Sequence, residues 1–242
     1  MSQSVALSPS RHYGKRWLKV ADYLFAEHDT LVPVVGEELP HVLANMPMGF
    51  YKKDDGGFEL VAIMSLEPGR NLFVHPEGHW VGGYKPAAYR GYPFQLRREA
   101  GTERYVLCFD EASGLLLNES VGDGEPFFDA EGELAPLVKQ VLDFLTQRER
   151  QRKITQRAVD MLAGQALIVP WEINVPQECE DHTRAVDRVY RINEKALSSL
   201  GEKRVGNLTN RQCAVYCLRS AFFPTPNSRI GPTLSPACRF EA

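Results

Sequence analysis

Apolar residues occur in short runs up to about residue 130 and at helical spacing after that. Trp17–Val20 and Leu31–Val35 have the length and composition of strands, and Pro33 places the second at an edge or a strand start. Leu39, Val42 and Leu43 share one helical face, which predicts a helix over Glu37–Asn45 that stops at Met46-Pro47. Met48–Lys52 and Phe58–Leu66 flank Asp54-Asp55-Gly56-Gly57, whose residues tolerate positive φ, and together they predict a hairpin. Asn71–Val74 reads as a further strand. Tyr92–Arg97 and Arg104–Asp110 read as a second hairpin across Ala100-Gly101, and Leu115–Leu117 adds a strand. The period then changes. Apolar residues at 134, 137, 138, 141, 142 and 145 predict a helix from Leu134 to Arg150. Ile154, Ala158, Val159 and Leu162 predict a second helix through Ala163, with its N-cap near Thr155. The charged run Gln147–Lys153 between them reads as a solvated connector. Leu167–Ile173 and Val189–Ile192 read as strands and Asn193–Leu200 as a short helix. Strands before helices give an α+β fold: a mostly antiparallel sheet followed by a helical C-terminal part, in a single domain.

Composition narrows the classes. The 242 residues are 43% hydrophobic, enough for a core without disulfides or metals. The net charge of −3 offers no basic footprint, so no nucleic-acid partner is expected. No apolar run approaches the roughly 20 residues of a membrane span. Met1–Ser10 lacks the features of a signal peptide, which gives a cytoplasmic expectation. The charge is unevenly spread: residues 203–242 carry +5 and the first 202 residues carry −8. The body holds Cys108 and Cys179, while Cys213, Cys217 and Cys238 fall in the last 40 residues. The expected organisation is a polar, disordered N-terminus over 1–12, a domain over 13–202 and an atypical, disordered tail over 203–242.

The segment Asn71–Phe94 reads NLFVHPEGHWVGGYKPAAYRGYPF. Asn71, Leu72, Phe73, Val74, Gly78, Trp80, Tyr84, Pro86, Ala87, Arg90, Tyr92, Pro93 and Phe94 fit the pattern of one family, and Gly91 departs from it where a second basic residue is usual. Cys108-Phe109-Asp110-Glu111, Gly124–Phe128, Leu167–Ile173 and Val189–Glu194 follow in order. From about residue 18 to about residue 200 the chain resembles the SapC family, bacterial proteins named from a surface-layer operon. The resemblance implies a non-catalytic binding or surface-layer-associated protein, with surface-layer or other proteins, or a small ligand, as partners. The alternative it implies is an enzyme or accessory protein that works with flavin-dependent halogenase or cupin-type oxygenase neighbours on an aromatic or peptide substrate. It carries over no catalytic residue and names no cofactor.

The candidate binding residues are Trp80, Tyr84, Tyr89, Arg90, Tyr92 and Phe94, because a guanidinium among aromatic rings can hold a carboxylate while stacking on a ring. The competing reading is a packed loop that closes a core. His75 and His79, with Glu77 between them, have a metal-like spacing. Pro76 and Gly78 make a helix there improbable, and no third ligand is evident nearby, so a turn with exposed imidazoles and no metal is expected. Asp110-Glu111 and the acidic residues from Asp123 to Glu133 read as turns and as a helix N-terminus, where negative charge is favoured. Glu67-Pro68-Gly69-Arg70 lacks the spacing and the lysine of a phosphate loop. Neither body cysteine has a suitably spaced His, so a thiol nucleophile is unsupported.

The resemblance ends near Lys203. The family usually continues A-L-x-x-A-Y-A-Q-L-x-S-x-x-N, whereas this chain reads Cys213-Ala214-Val215-Tyr216-Cys217-Leu218 and on to Pro224. Read one base later, with permitted codons, the same stretch can encode A-L-S-I-A-Y-A-Q-L-F-S-L. The expectation is a frameshift between about Leu200 and Cys213.

Overall fold

The computed structural model describes residues 4–99, 101–117, 124–177, 180–185 and 188–199. The expectations for the tail 203–242, with Cys213, Cys217 and Cys238, and those for Asp123 and Cys179 lie outside the described residues. In chain order the elements begin with β1 (Ser4–Ala6), α1 (Pro9–His12), β2 (Arg16–Trp17), β3 (Leu31–Pro33) and α2 (Leu39–Asn45). There follow β4 (Met48–Lys52), β5 (Phe58–Ile63), α3 (Ala87–Arg90), β6 (Phe94–Arg98), β7 (Tyr105–Asp110), β8 (Leu116–Leu117) and β9 (Glu125–Pro126). The long helix α4 (Pro136–Gly164) precedes β10 (Ile168–Pro170), β11 (Asn174–Gln177), β12 (Glu180–Ala185), β13 (Val189–Ile192) and α5 (Glu194–Ser199). The fold is α+β, and every strand pair with an assigned register is antiparallel.

The chain divides into two compact units. One joins the residues up to Val32 with Glu67–Gln151; the other joins Pro33–Leu66 with the described residues from Arg152 onward. The first unit holds two three-stranded sheets, β1-β7-β6 and β8-β2-β9. Its core is aromatic: Trp17 meets Phe94 edge to face at 4.8 Å, and Phe109 meets Phe127 at 5.0 Å. Leu107, Val138 and Leu145 complete the buried cluster. Where polar composition predicts a frayed N-terminus, residues 4–12 form β1 and α1. Backbone pairing outweighs the composition here, because Ser4, Val5 and Ala6 lie opposite Asp110, Phe109 and Cys108 on β7.

The second unit is built on the sheet strands β10-β13-β4-β5, with β11 and β12 as a separate hairpin. Its buried side chains are mostly aliphatic, among them Leu39, Val42, Leu60, Val61, Val159 and Leu162, with Phe50 at 1% exposure. The predicted hairpin is present with Met48 opposite Ala62 and Lys52 opposite Phe58. Gly56 takes a φ of +84° in its turn, a conformation that glycine adopts at little cost.

Two expectations need correction. Asn71–Val74 forms no strand; Val74 makes a single bridge to Trp80 instead. The expected connector Gln147–Lys153 is helical, and α4 runs through it without a break. Its Gln, Arg, Glu and Lys side chains lose little freedom in a helix, so their charge marks no interruption; Gln147, Arg150 and Lys153 are exposed, and Arg148, Glu149, Gln151 and Arg152 are half-buried. Thr155 therefore caps nothing in α4. It lies inside the helix at 5% exposure, and its Oγ1 accepts the backbone N–H of Gly36 at 2.8 Å.

Candidate functional site

The densest chemistry lies in the loop from Asn71 to Tyr92 of the first unit. Its backbone is fixed by short local bonds. Gly78 N–H donates to His75 O at 2.7 Å, Val81 N–H to Phe73 O at 2.9 Å, and Tyr23 N–H to Gly78 O at 2.7 Å. Gly78 has φ +88°, and a Cβ there would stand 2.6 Å from the Asp22 Cβ, so the position excludes a larger residue. On this frame the rings form a continuous chain. Phe73 stacks on Trp80 at 5.6 Å, Trp80 meets Tyr89 edge to face at 5.7 Å, and Phe25 lies flat on Tyr92 at 3.9 Å. Tyr23 lies 5.7 Å from Trp80, and Phe25 meets Tyr89 at 5.8 Å.

The polar atoms of these rings are directed to the chain itself. Trp80 Nε1–H donates to Tyr84 O at 2.9 Å. Tyr89 is 6% exposed, and its hydroxyl is bonded to the Asp29 carboxylate and receives Asn71 Nδ2–H at 3.4 Å. Asn71, 3% exposed, also donates to Ala26 O at 3.0 Å and accepts from Phe73 N–H at 3.0 Å. Burial holds the Tyr89 phenol well above its ordinary range, and the neighbouring Asp29 charge adds to the effect. The Tyr92 phenol is raised by burial and then by Asp110 and Asp22. The Asp29 carboxyl is also raised by desolvation, although the residue is exposed along part of its length. Both phenols therefore stay neutral at physiological pH and act as hydrogen-bonding groups, not as bases.

The six candidate residues do not form one pocket. Trp80, Tyr89 and Tyr92 belong to this ring network. Phe94 belongs to the core of the first unit, in contact with Phe109 at 5.1 Å. Tyr84 and Arg90 lie toward the surface, where the guanidinium donates to the Tyr84 hydroxyl and, at 3.2 Å, to Lys85 O. The same guanidinium lies over the Tyr84 and Phe144 rings at 5.3 and 5.9 Å.

The SapC family model matches residues 7–216 of the chain. The chain belongs to the SapC family. No curated protein and no solved structure matches it. The match begins before and ends after the span of 18–200 read from the motifs. Within the SapC pattern, Asn71 and Trp80 act here as architecture, tying the loop to the turn at Ala26 and to Tyr84 O. At Gly91, where the chain departs from the pattern, a Cβ would lie 2.6 Å from Leu145 Cδ2 on α4, so the end of that side chain would have to shift to admit a larger residue.

Folding adds two features that the sequence does not announce and gives a geometry to a third. His12 is fully buried and 3.3 Å from Glu111, which Arg11 grips through two hydrogen bonds of 2.7 and 2.6 Å. His12 Nε2 has no hydrogen-bond partner at that distance and angle. Burial lowers the His12 pKa, and the Arg11 hydrogen bond lowers that of Glu111. Second, a groove of 730 Å³ lies in the second unit, lined by Phe50, Trp171, Glu172, Arg191 and Glu194 among others, and by none of the six candidates. Third, the turn carrying His75 and His79 brings Glu77 to them, with ligand atoms of all three within 4.8 Å of one another. Sequence alone gave no distance for Glu77, because the turn geometry that folds it back is set by Gly78.

Proposed function

We propose that this SapC-family protein is a non-catalytic binding protein, associated with the surface layer as the family resemblance implies, and that its partner is another protein. One observation carries the reading. Five large apolar side chains are exposed among the described residues, and three of them, Leu24 (38%), Leu72 (54%) and Val81 (61%), belong to the aromatic loop and the turn that braces it. Leu24 Cγ lies within 3.2 Å of the Cβ position of Gly78, so that turn and the loop are in contact. Apolar groups on a frame of locked rings cost little ordering entropy on association, which favours a rigid recognition surface. The aromatic side chains serve the frame and the aliphatic ones serve the partner.

The test is a quantitative pull-down from the source organism with the wild-type chain and a Leu72→Ser/Val81→Ser variant as baits, with matched melting temperatures. Loss of a specific co-purifying protein with the variant is expected. An unchanged set of partners overturns the reading, and recovery of a halogenase or oxygenase in place of a surface-layer protein would move it to the accessory role.

A further inference from the structure

We propose that His75, Glu77 and His79 form a binding site for a divalent cation of the zinc, nickel and copper class. The three donors alternate along a five-residue turn that is closed at both ends. Val74 bridges Trp80, and His75 N–H donates to His79 O at 2.9 Å. The Gly78 N–H to His75 O bond and the left-handed Gly78 fold the turn back on itself, and the bond from Tyr23 N–H to Gly78 O holds it in place. The backbone therefore holds the three residues side by side before any ion arrives, and their side-chain rotamers remain to be set.

The side chains face one another. The two imidazole rings are stacked with centroids 4.1 Å apart and planes 21° apart. His75 Nδ1 lies 3.9 Å from Glu77 Oε2 and accepts the Glu77 backbone N–H at 3.2 Å, so its lone pair points into the turn. An ion at Nδ1 takes the place of that single hydrogen bond. Ligands on one tetrahedral ion stand roughly 3.3 Å apart, given bonds of about 2.0–2.1 Å. The donors must therefore draw together from a spread of 4.8 Å. Rotamer changes suffice for that, because the side chains of His75 and Glu77 are 43% and 81% exposed and are not packed in place. Two imidazoles and one carboxylate select a borderline metal; calcium and magnesium require an all-oxygen shell. Three protein donors leave a coordination position for water or an incoming group.

The site is tested by calorimetric titration of Zn²⁺ alone into the full chain, with circular dichroism as the control for folding. The wild type is expected to bind one ion at this turn. His75→Ala and His79→Ala should each weaken it by more than about ten-fold, the loss that even an outer partner of a metal ligand can cause. Glu77→Gln should weaken it less. His28→Ala should change nothing, although His28 also lies beside a carboxylate, 3.3 Å from Glu27. No binding by the wild type, or equal binding by both histidine variants, overturns the proposal. Should those variants misfold, the wild-type Co²⁺ spectrum decides: nitrogen and oxygen ligation is expected, and a thiolate charge-transfer band would assign the ion to cysteine and overturn it.

Discussion

The two units of the chain bury different chemistry. Among the largest fully buried side chains, the first unit contributes Phe109, Phe127, His12 and one valine, Val138, whereas the second contributes Leu39, Leu60, Met64 and three valines beside a single aromatic ring, Phe50. Aromatic rings need particular edge-to-face partners, so the first unit is a set of specific ring contacts carried on loops and short strands. Aliphatic side chains need mainly volume and a face, so the second unit is a regular sheet with helix against it. Specific contacts hold a loop rigid without regular backbone pairing, and in the first unit they leave Leu72 and Val81 outward on a fixed frame.

The largest test of this contrast is truncation of each centre. Phe127→Ala and Phe50→Ala should each cost about 3–5 kcal/mol in denaturant unfolding, because both rings are essentially fully buried. The same pair tests the single domain expected over 13–202. One coincident transition in both variants supports it, and separate transitions would divide the chain.

Gly91→Arg, which restores the residue type usual in the family, should cost about 1–3 kcal/mol, because Leu145 stands where its Cβ would go. An unchanged midpoint would show that Leu145 moves aside freely. Tyr89→Phe should cost about 1 kcal/mol, since it removes the hydroxyl shared by Asp29 and Asn71. Arg90→Ala should shift the midpoint less, since the residue is exposed. The reverse order would make Arg90 the structural residue of the loop.

The smallest effect is one of pH. The His12 pKa is lowered in the folded state, mainly by burial, against the opposing pull of the Ser8 backbone hydrogen bond and then of Glu111. Below about pH 6.5 the unfolded chain takes up a proton that folded His12 refuses, so stability falls as pH drops through that value toward the folded pKa. Glu111 adds a second loss at lower pH, since its folded pKa is lowered and its contribution disappears as it protonates. Denaturant midpoints of the wild type and His12→Asn between pH 7 and pH 5 should converge as pH falls. Parallel curves would show that His12 titrates alike in both states.

These differences follow what was legible in the sequence. The β4–β5 hairpin, α2 and β13 could be read directly, because period and turn chemistry agree there. The helical part was legible in its faces but not in its continuity, since a charged run such as Gln147–Lys153 suits a helix as well as a linker. The six candidate residues lie close together in sequence, but the fold distributes them over more than one ring cluster. Phe94 and Tyr92 are two apart in sequence and belong to different ring clusters, and no spacing rule separates them. The roles of Asp29 and His12 depend on tertiary folding, and the approach of Glu77 to the histidines depends on the left-handed Gly78, whose conformation the spacing alone does not display.

The order β1-β7-β6 has a practical consequence for anyone shortening this chain. β7 is the middle strand only because Ser4–Ala6 lie along it. A truncation that removes the first dozen residues would leave the bonding groups of Cys108, Phe109 and Asp110 as an open edge beside an apolar core. Such edges recruit strands from other molecules, so the shortened protein should aggregate or swap strands before it loses its remaining secondary structure.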